Sequence, residues 1–170
     1  MRKNIFQGRV LSLNLYTSHV KKRKVTREII EHPGAAAILA IENGKVILVR
    51  QHRFGHGYVL EIPAGTFEKG EKPITCAQRE LREETGYSAK KMIPLIKYFP
   101  SIGYNTEIIH CYVATGLKKV GDLQLDDDEI ISIIKIDFRK VIKMILSGKI
   151  TDSKTICAIL TYAIKKKYQL

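Results

Sequence analysis

The stretch Gly65–Tyr87, GTFEKGEKPITCAQRELREETGY, decides how the rest of this chain is read. Near its end, Glu83 and Glu84 stand three and four positions beyond Glu80. Residues so spaced share one side of a helix. Three carboxylates therefore crowd within a few ångströms of one another. Through an effective dielectric of about 20, each pair about 6 Å apart costs about 3 kcal/mol. A cation, or several basic partners, must offset that repulsion. Oxygen-only donors of this kind suit Mg²⁺ or Mn²⁺ better than zinc. The plainer alternative is a solvated helix face ion-paired to Arg79 and Arg82.

The opposite side of the same segment is apolar, with Ile74, Ala77, Leu81 and Thr85 at helical spacing. Pro73 suits a first helical turn, where its missing N–H does no harm. Gly86 suits the end, where the backbone turns left-handed. The pattern predicts a loop over Gly65–Lys72 and a helix over Pro73–Thr85, with Lys72 a weak N-cap. Glu71 and Arg79 bracket the helix start and are placed to lock the loop onto it by an ion pair.

Gly65, Glu71, Arg79, Glu80, Leu81, Glu83, Glu84 and Gly86 match the Nudix box, G-x5-E-x7-R-E-U-x-E-E-x-G-U with U aliphatic, in type and spacing. The stretch thus resembles the Nudix hydrolase superfamily. Tyr87 departs at the last position, which packs rather than reacts. The resemblance implies an α/β/α sandwich and divalent-metal hydrolysis of a nucleoside diphosphate linked to another group. It implies Glu80, Glu83 and Glu84 as metal ligands and Arg79 and Glu83 among the catalytic residues.

Length and composition agree with one soluble unit. The chain has 170 residues, 45% hydrophobic and 27% charged, enough for a sizeable core. It has no apolar run long enough to span a bilayer and no apolar signal core in MRKNIFQGRV, so a cytoplasmic location is expected. Cys76, Cys111 and Cys157 are scattered and odd in number, which favours reduced thiols. The net charge of +12 would attract a polyanion, but much of the excess sits in Lys21–Lys24 and Lys165–Lys167. No aromatic residues interleave there as stacking platforms, so nucleic-acid binding is not expected.

Residues 6–16 and 24–31 read as two strands of an N-terminal hairpin, and 1–33 is predicted as a dimerisation element ahead of a hydrolase domain over 34–170. Asn43-Gly44 is a hairpin turn between two apolar runs within Gly34–Arg53. Gln51-His52-Arg53, followed by Leu60-Glu61-Ile62-Pro63-Ala64-Gly65, resembles the ADP-ribose pyrophosphatase branch of the family. That branch implies Arg53 and Gln51 as substrate-binding residues, the carbonyl of Ala64 as a metal ligand, and Glu61 as a further acidic group near the site. His56, in a glycine-flanked loop, is given no role.

After the box, residues 91–98 and 108–115 read as strands. Between them the branch carries Ser-Pro-Gly, whereas Ile102 stands at the proline position before Gly103. Gly103 and Glu107 are the substrate-binding candidates of this loop. The acidic run Asp126-Asp127-Asp128-Glu129 precedes a strand over Ile130–Ile136. By resemblance it supplies the carboxylate that helps activate water, with Glu129 preferred and Asp127 or Asp128 as alternates. Two helices follow, one capped by Asp137 with Val141, Ile142 and Ile145 inward, the other capped by Asp152 or Ser153 with Ile156, Ile159, Leu160 and Ala163 inward.

The order of elements predicts an α+β fold with mixed sheets between helical layers and an N-terminal β-hairpin extension. The expected protein is a homodimeric, Mg²⁺-dependent (Mn²⁺ as the alternative) hydrolase of ADP-ribose or a related nucleoside diphosphate sugar, giving AMP and ribose 5-phosphate. Two rivals stand beside it: a pyrophosphatase for another nucleotide sugar or a dinucleotide, and a non-catalytic nucleotide sensor or RNA-binding protein on the same fold.

Overall fold

The computed structural model describes residues 1–124 and 130–168. The two apolar runs joined at Asn43-Gly44 are strands β4 (Ala35–Glu42) and β5 (Lys45–Arg53). Every residue from Ala35 to Ala40 is buried, as expected of a strand covered on both faces. One edge of β4 pairs in parallel with β9 (Ile109–Lys119), Ala37 opposite Cys111. Its other edge is shared. Ala40–Glu42 pair with β5, and Ala35–Ala37 pair with the short strand β7 (Ala64–Thr66). The strand that leads into the glutamate-bearing segment therefore starts in the middle of the sheet.

The remaining strands extend that sheet to the order β10-β5-β4-β9-β8, with β6 (Gly57–Glu61) paired to β5. Strand β10 spans Ile131–Asp137 and β8 spans Tyr87–Tyr98. The strand expected over 91–98 begins four residues earlier, because β9 runs on to Lys119 and offers Tyr87–Ala89 a partner.

One face of the sheet carries α1 (Pro73–Thr85), whose Cys76, Ala77 and Leu81 pack on Ala36, Ile38, Ala40 and Ile47. Small side chains on both sides let the helix come close to the sheet. The other face carries α2 (Phe138–Leu146) and α3 (Ser153–Lys165), with Val141, Ile142, Ala158 and Ile159 against Leu39, Val46 and Leu48. Each large aliphatic buried there contributes about 1.5–3 kcal/mol. Asp137 caps α2 by accepting from the amides of Arg139 (2.9 Å) and Lys140 (3.3 Å), and Asp152, not Ser153, caps α3. The expected α+β sandwich is thus present. Ile145, Ile156 and Leu160 are only half-buried.

The N-terminal extension is larger than a hairpin. The strand expected over 6–16 is broken, because the amide of Gly8 donates to the Leu11 carbonyl (2.9 Å) and closes a turn. The result is a three-stranded antiparallel sheet of β1 (Arg2–Gln7), β2 (Ser12–Val20) and β3 (Arg23–Glu31). It is tied to the rest at Ile30, which donates to the Tyr104 carbonyl (2.8 Å) and accepts from the Thr106 amide (2.9 Å). All of β1 is exposed. Among the described residues, no helix is long and apolar enough to cross a membrane.

Candidate active site

Gly65 is required by close approach. A methyl group on its Cα would overlap the Glu80 carboxylate. The loop after β7 returns to the first turn of α1, which has Lys72 at its N-cap with no side-chain cap and Pro73 in the first turn. At the far end Gly86, at φ 70°, donates to the Arg82 carbonyl at 2.7 Å and stops the helix.

Arg79 is the hub. Its Nε and Nη2 each donate to Glu71 at 3.0 Å. Its Nη1 donates to Glu80 at 2.6 Å and to Glu83 at 3.0 Å, and Nη2 also reaches the Thr66 carbonyl at 3.2 Å. The anticipated Glu71–Arg79 lock is therefore present, and the same guanidinium also pairs with two of the three ridge carboxylates. Its hydrogen bonds hold Glu71 below the usual carboxylate range, while Glu71 foremost, with Glu80 and Glu83, raises the pKa of Arg79 against burial. Glu84 is buried and its Oε2 accepts the Ala64 amide at 2.9 Å. Cys76 is buried beside this group. Burial, with Glu80 and Glu71 adding to it, pushes its thiol up to about 12.

A cavity of about 630 Å³ opens over this ridge. Ala64, Glu80, Glu83, Glu84, Arg53, Lys154 and Glu107 are among the residues that line it. Arg53 donates from Nε and Nη2 to the two oxygens of Glu61 at 2.8 and 2.9 Å. Burial pushes Glu61 upward, but hydrogen bonds from Arg53 and Lys154 outweigh it and bring its pKa to about 2. Glu61 is thus an ionised anchor for two cations. It is buried and does not line this cavity.

The donors on the ridge fit a hard divalent cation: carboxylate oxygens at Glu80, Glu83 and Glu84, with the backbone of Ala64 beside them. The charge of Arg79 already stands against Glu80 and Glu83. Among the described residues, no three His, Cys, Asp or Glu groups are gathered at metal-binding distance. A cation entering the ridge would compete with Nη1 of Arg79.

Of the sequence candidates, Ala64, Arg79, Glu80, Glu83, Glu84, Arg53 and Glu107 converge on the one cavity. Gln51 does not. It is buried in β5 between Val59 and Ile131, and its Oε1 has no hydrogen-bond partner among the described residues. Gly103 is exposed and away from the cavity wall. Glu129, with Asp126, Asp127 and Asp128, lies outside the described residues. Gln124, which leads into that run, lines the cavity and donates its amide to the Glu83 carbonyl at 2.9 Å.

Sequence reading missed Gln124, Arg9 and Lys154. Arg9 arrives from the β1–β2 turn, which a continuous strand over 6–16 concealed. Lys154 had a signal. A cation in the first turn of a helix opposes the helix dipole, a local mismatch that calls for an explanation.

The family model for the NUDIX domain matches residues 31–156. The chain is 37% identical to the ADP-ribose pyrophosphatase of Bacillus subtilis over 172 residues, covering 99% of this chain and 93% of the relative. It is 43% identical to the methanol dehydrogenase activator of Bacillus methanolicus over 159 residues, covering 91% and 86%. A crystal structure of an ADP compounds hydrolase superposes with a TM-score of 0.85 at 19% identity, covering 100% of this chain and 95% of that one, which bears on the fold alone. Glutamate ridge, arginine lock and glycine close approach occupy one continuous segment inside the matched region, and this chain belongs to the NUDIX family.

Proposed function

We propose that the protein hydrolyses the diphosphate of ADP-ribose or a related nucleoside diphosphate sugar with Mg²⁺, giving AMP and ribose 5-phosphate. The observation that carries this reading is the mixed charge of the cavity lining. Glu80, Glu83 and Glu84 line it together with Arg53 and Lys154. A ligand that fits brings both a cation for the carboxylates and bare phosphate oxygens for the basic groups.

Ala64, Glu80, Glu83 and Glu84 would hold the divalent ion, which supplies Lewis-acid neutralisation of the diphosphate. Arg53, its planar fork fixed by Glu61, takes phosphate oxygens with the rest of its guanidinium. Arg79 orients Glu80 and Glu83. Glu107 accepts hydroxyl donors from the sugar. Water attacks one phosphorus, the anhydride P–O bond breaks, and the proton passes to a carboxylate of the acidic run. Glu129 is our candidate, with Asp127 and Asp128 as alternates; Gln124 at the cavity wall supports placing the base in that run. Such general-base help contributes about 10²–10⁴-fold.

A panel of diphosphates with Mg²⁺, its products identified by mass spectrometry, tests the reading. AMP and ribose 5-phosphate from ADP-ribose support it; no cleavage of any diphosphate removes it. Dinucleotides belong in the panel, because the relative from Bacillus methanolicus is named for an effect on a dehydrogenase. We also propose that residues 1–33 form a dimerisation element and that a second copy covers the N-terminal sheet. Ile5, Phe6 and Val20 are exposed on it, more apolar surface than a solvated sheet needs.

A further inference from the structure

Lys154 sits at the start of α3, far in sequence from the glutamate ridge, yet it lines the catalytic cavity. Its Nζ donates to Glu61 at 2.6 Å and to Asp152 at 2.7 Å. Asp152 in turn accepts from the Thr155 amide at 2.9 Å and the Thr155 hydroxyl at 2.7 Å. That hydroxyl accepts the Ile62 amide at 2.8 Å. Ile62 lies next to Glu61 and two residues before Ala64. A closed ring of contacts thus joins the α3 N-terminus to the chain that enters the ridge.

The ring balances its charges. Arg53 and Lys154 are the cations, Glu61 and Asp152 the anions, and Glu61 is held by both cations at once. Burial lowers the pKa of Lys154, but Asp152 and Glu61 outweigh it and raise it, so the amine stays charged. A helix-capping role needs only Asp152. A packing role needs no charge. Neither explains an ammonium spent on the same carboxylate that fixes Arg53.

We propose that Lys154 is a positioning residue for the substrate diphosphate: it holds Glu61 in the one orientation that aims the Arg53 guanidinium into the cavity. This rests on the reading of the cavity as a diphosphate site. Truncating the lysine leaves Glu61 with one cation instead of two. The carboxylate then swings with Arg53, and phosphate binding is lost while the ridge of Glu80, Glu83 and Glu84 stays as it was.

A double-mutant cycle on ADP binding, measured by calorimetry with Mg²⁺ present, tests this without needing turnover. R53A and K154M are each expected to weaken ADP about tenfold, and the double variant about tenfold rather than a hundredfold, because coupled residues do not add. K154R, which keeps the cation, is expected to regain most of the affinity. Mn²⁺ binding without nucleotide is expected to be unchanged in all variants. If K154M does not fold by circular dichroism, K154Q, which keeps one donor for Glu61, takes its place in the cycle. Additive losses, or no rescue by K154R, overturn the positioning role and leave the diphosphate site intact. A wild-type protein that binds no ADP overturns both.

Discussion

The Oε2 atom of Glu84 accepts the backbone amide of Ala64 at 2.9 Å, across twenty residues of chain. The bond sets the orientation of a peptide unit in the sheet from a side chain on the helix. Ala64 and Glu84 both line the cavity, so the helix and the strand that deliver the proposed ligands are registered to each other directly.

Glu84→Gln keeps an oxygen for that amide but removes a charge from the ridge. We expect kcat to fall by about 10²–10³-fold, the equivalent of several kcal/mol of lost charge stabilisation, with the melting temperature nearly unchanged. Wild-type kcat in the variant would take Glu84 out of the mechanism.

Gly65→Ala forces a methyl group into the Glu80 carboxylate. The helix is pinned by packing on Ala36 and Ile38 and cannot retreat, so Glu80 must move. The clash falls on the far end of a flexible side chain, so stability is expected to change little, while misplacement of a ligand by an ångström costs about 10²-fold in rate. Denaturant unfolding and steady-state kinetics read the two separately. A fully active variant would contradict the proposed role of the Glu80 carboxylate at this close approach.

Removing divalent ions with a chelator is expected to abolish turnover, and excess Mg²⁺ to restore it. Mg²⁺ at about a hundredfold above its Kd adds about 2.7 kcal/mol to stability, a rise of about 5–10 °C in melting temperature for a chain of this size. Undiminished turnover in chelator would end the metal-dependent reading.

Glu61 has a folded pKa of about 2, below its ordinary 4.5. A depressed carboxylate adds stability above the unfolded pKa and loses it as pH falls towards the folded one. Stability is therefore expected to drop between about pH 4.5 and 2. Glu61→Gln is expected to flatten that part of the curve, as read by urea unfolding at a series of pH values. An identical acid limb in the variant would show that Glu61 is not the group responsible.

The exposed apolar side chains of the N-terminal sheet are expected to be covered by a second copy. Equilibrium sedimentation at a single monomer mass over a wide concentration range would count against it.

How far the sequence led can be judged from single residues. The helix at about Pro73–Thr85 was legible, because Pro73, Gly86 and the spacing of Ala77 and Leu81 all signal the same element, although Lys72 left its start open. The Arg79–Glu71 lock was legible for the same reason: both partners are local. The break at Gly8–Leu11 was not, because apolar residues continue through a turn that a backbone bond closes. Lys154 was hidden by distance. Its partner Glu61 is 93 residues away, and only the packing of α3 on the sheet brings the two together. Gln51 is buried in β5 beside Val59 and Ile131, a setting that its place in the sequence alone did not reveal.

The two bonds from Arg79 to Glu71 have a kinetic consequence. They bolt the loop to the helix before any ion arrives, so loading requires no refolding of this segment. Under the proposed Mg²⁺ reading, an ion that sheds its water reluctantly would then meet two hurdles, its own dehydration and the displacement of Nη1 of Arg79 from Glu80 and Glu83, and neither would be a refolding of the backbone.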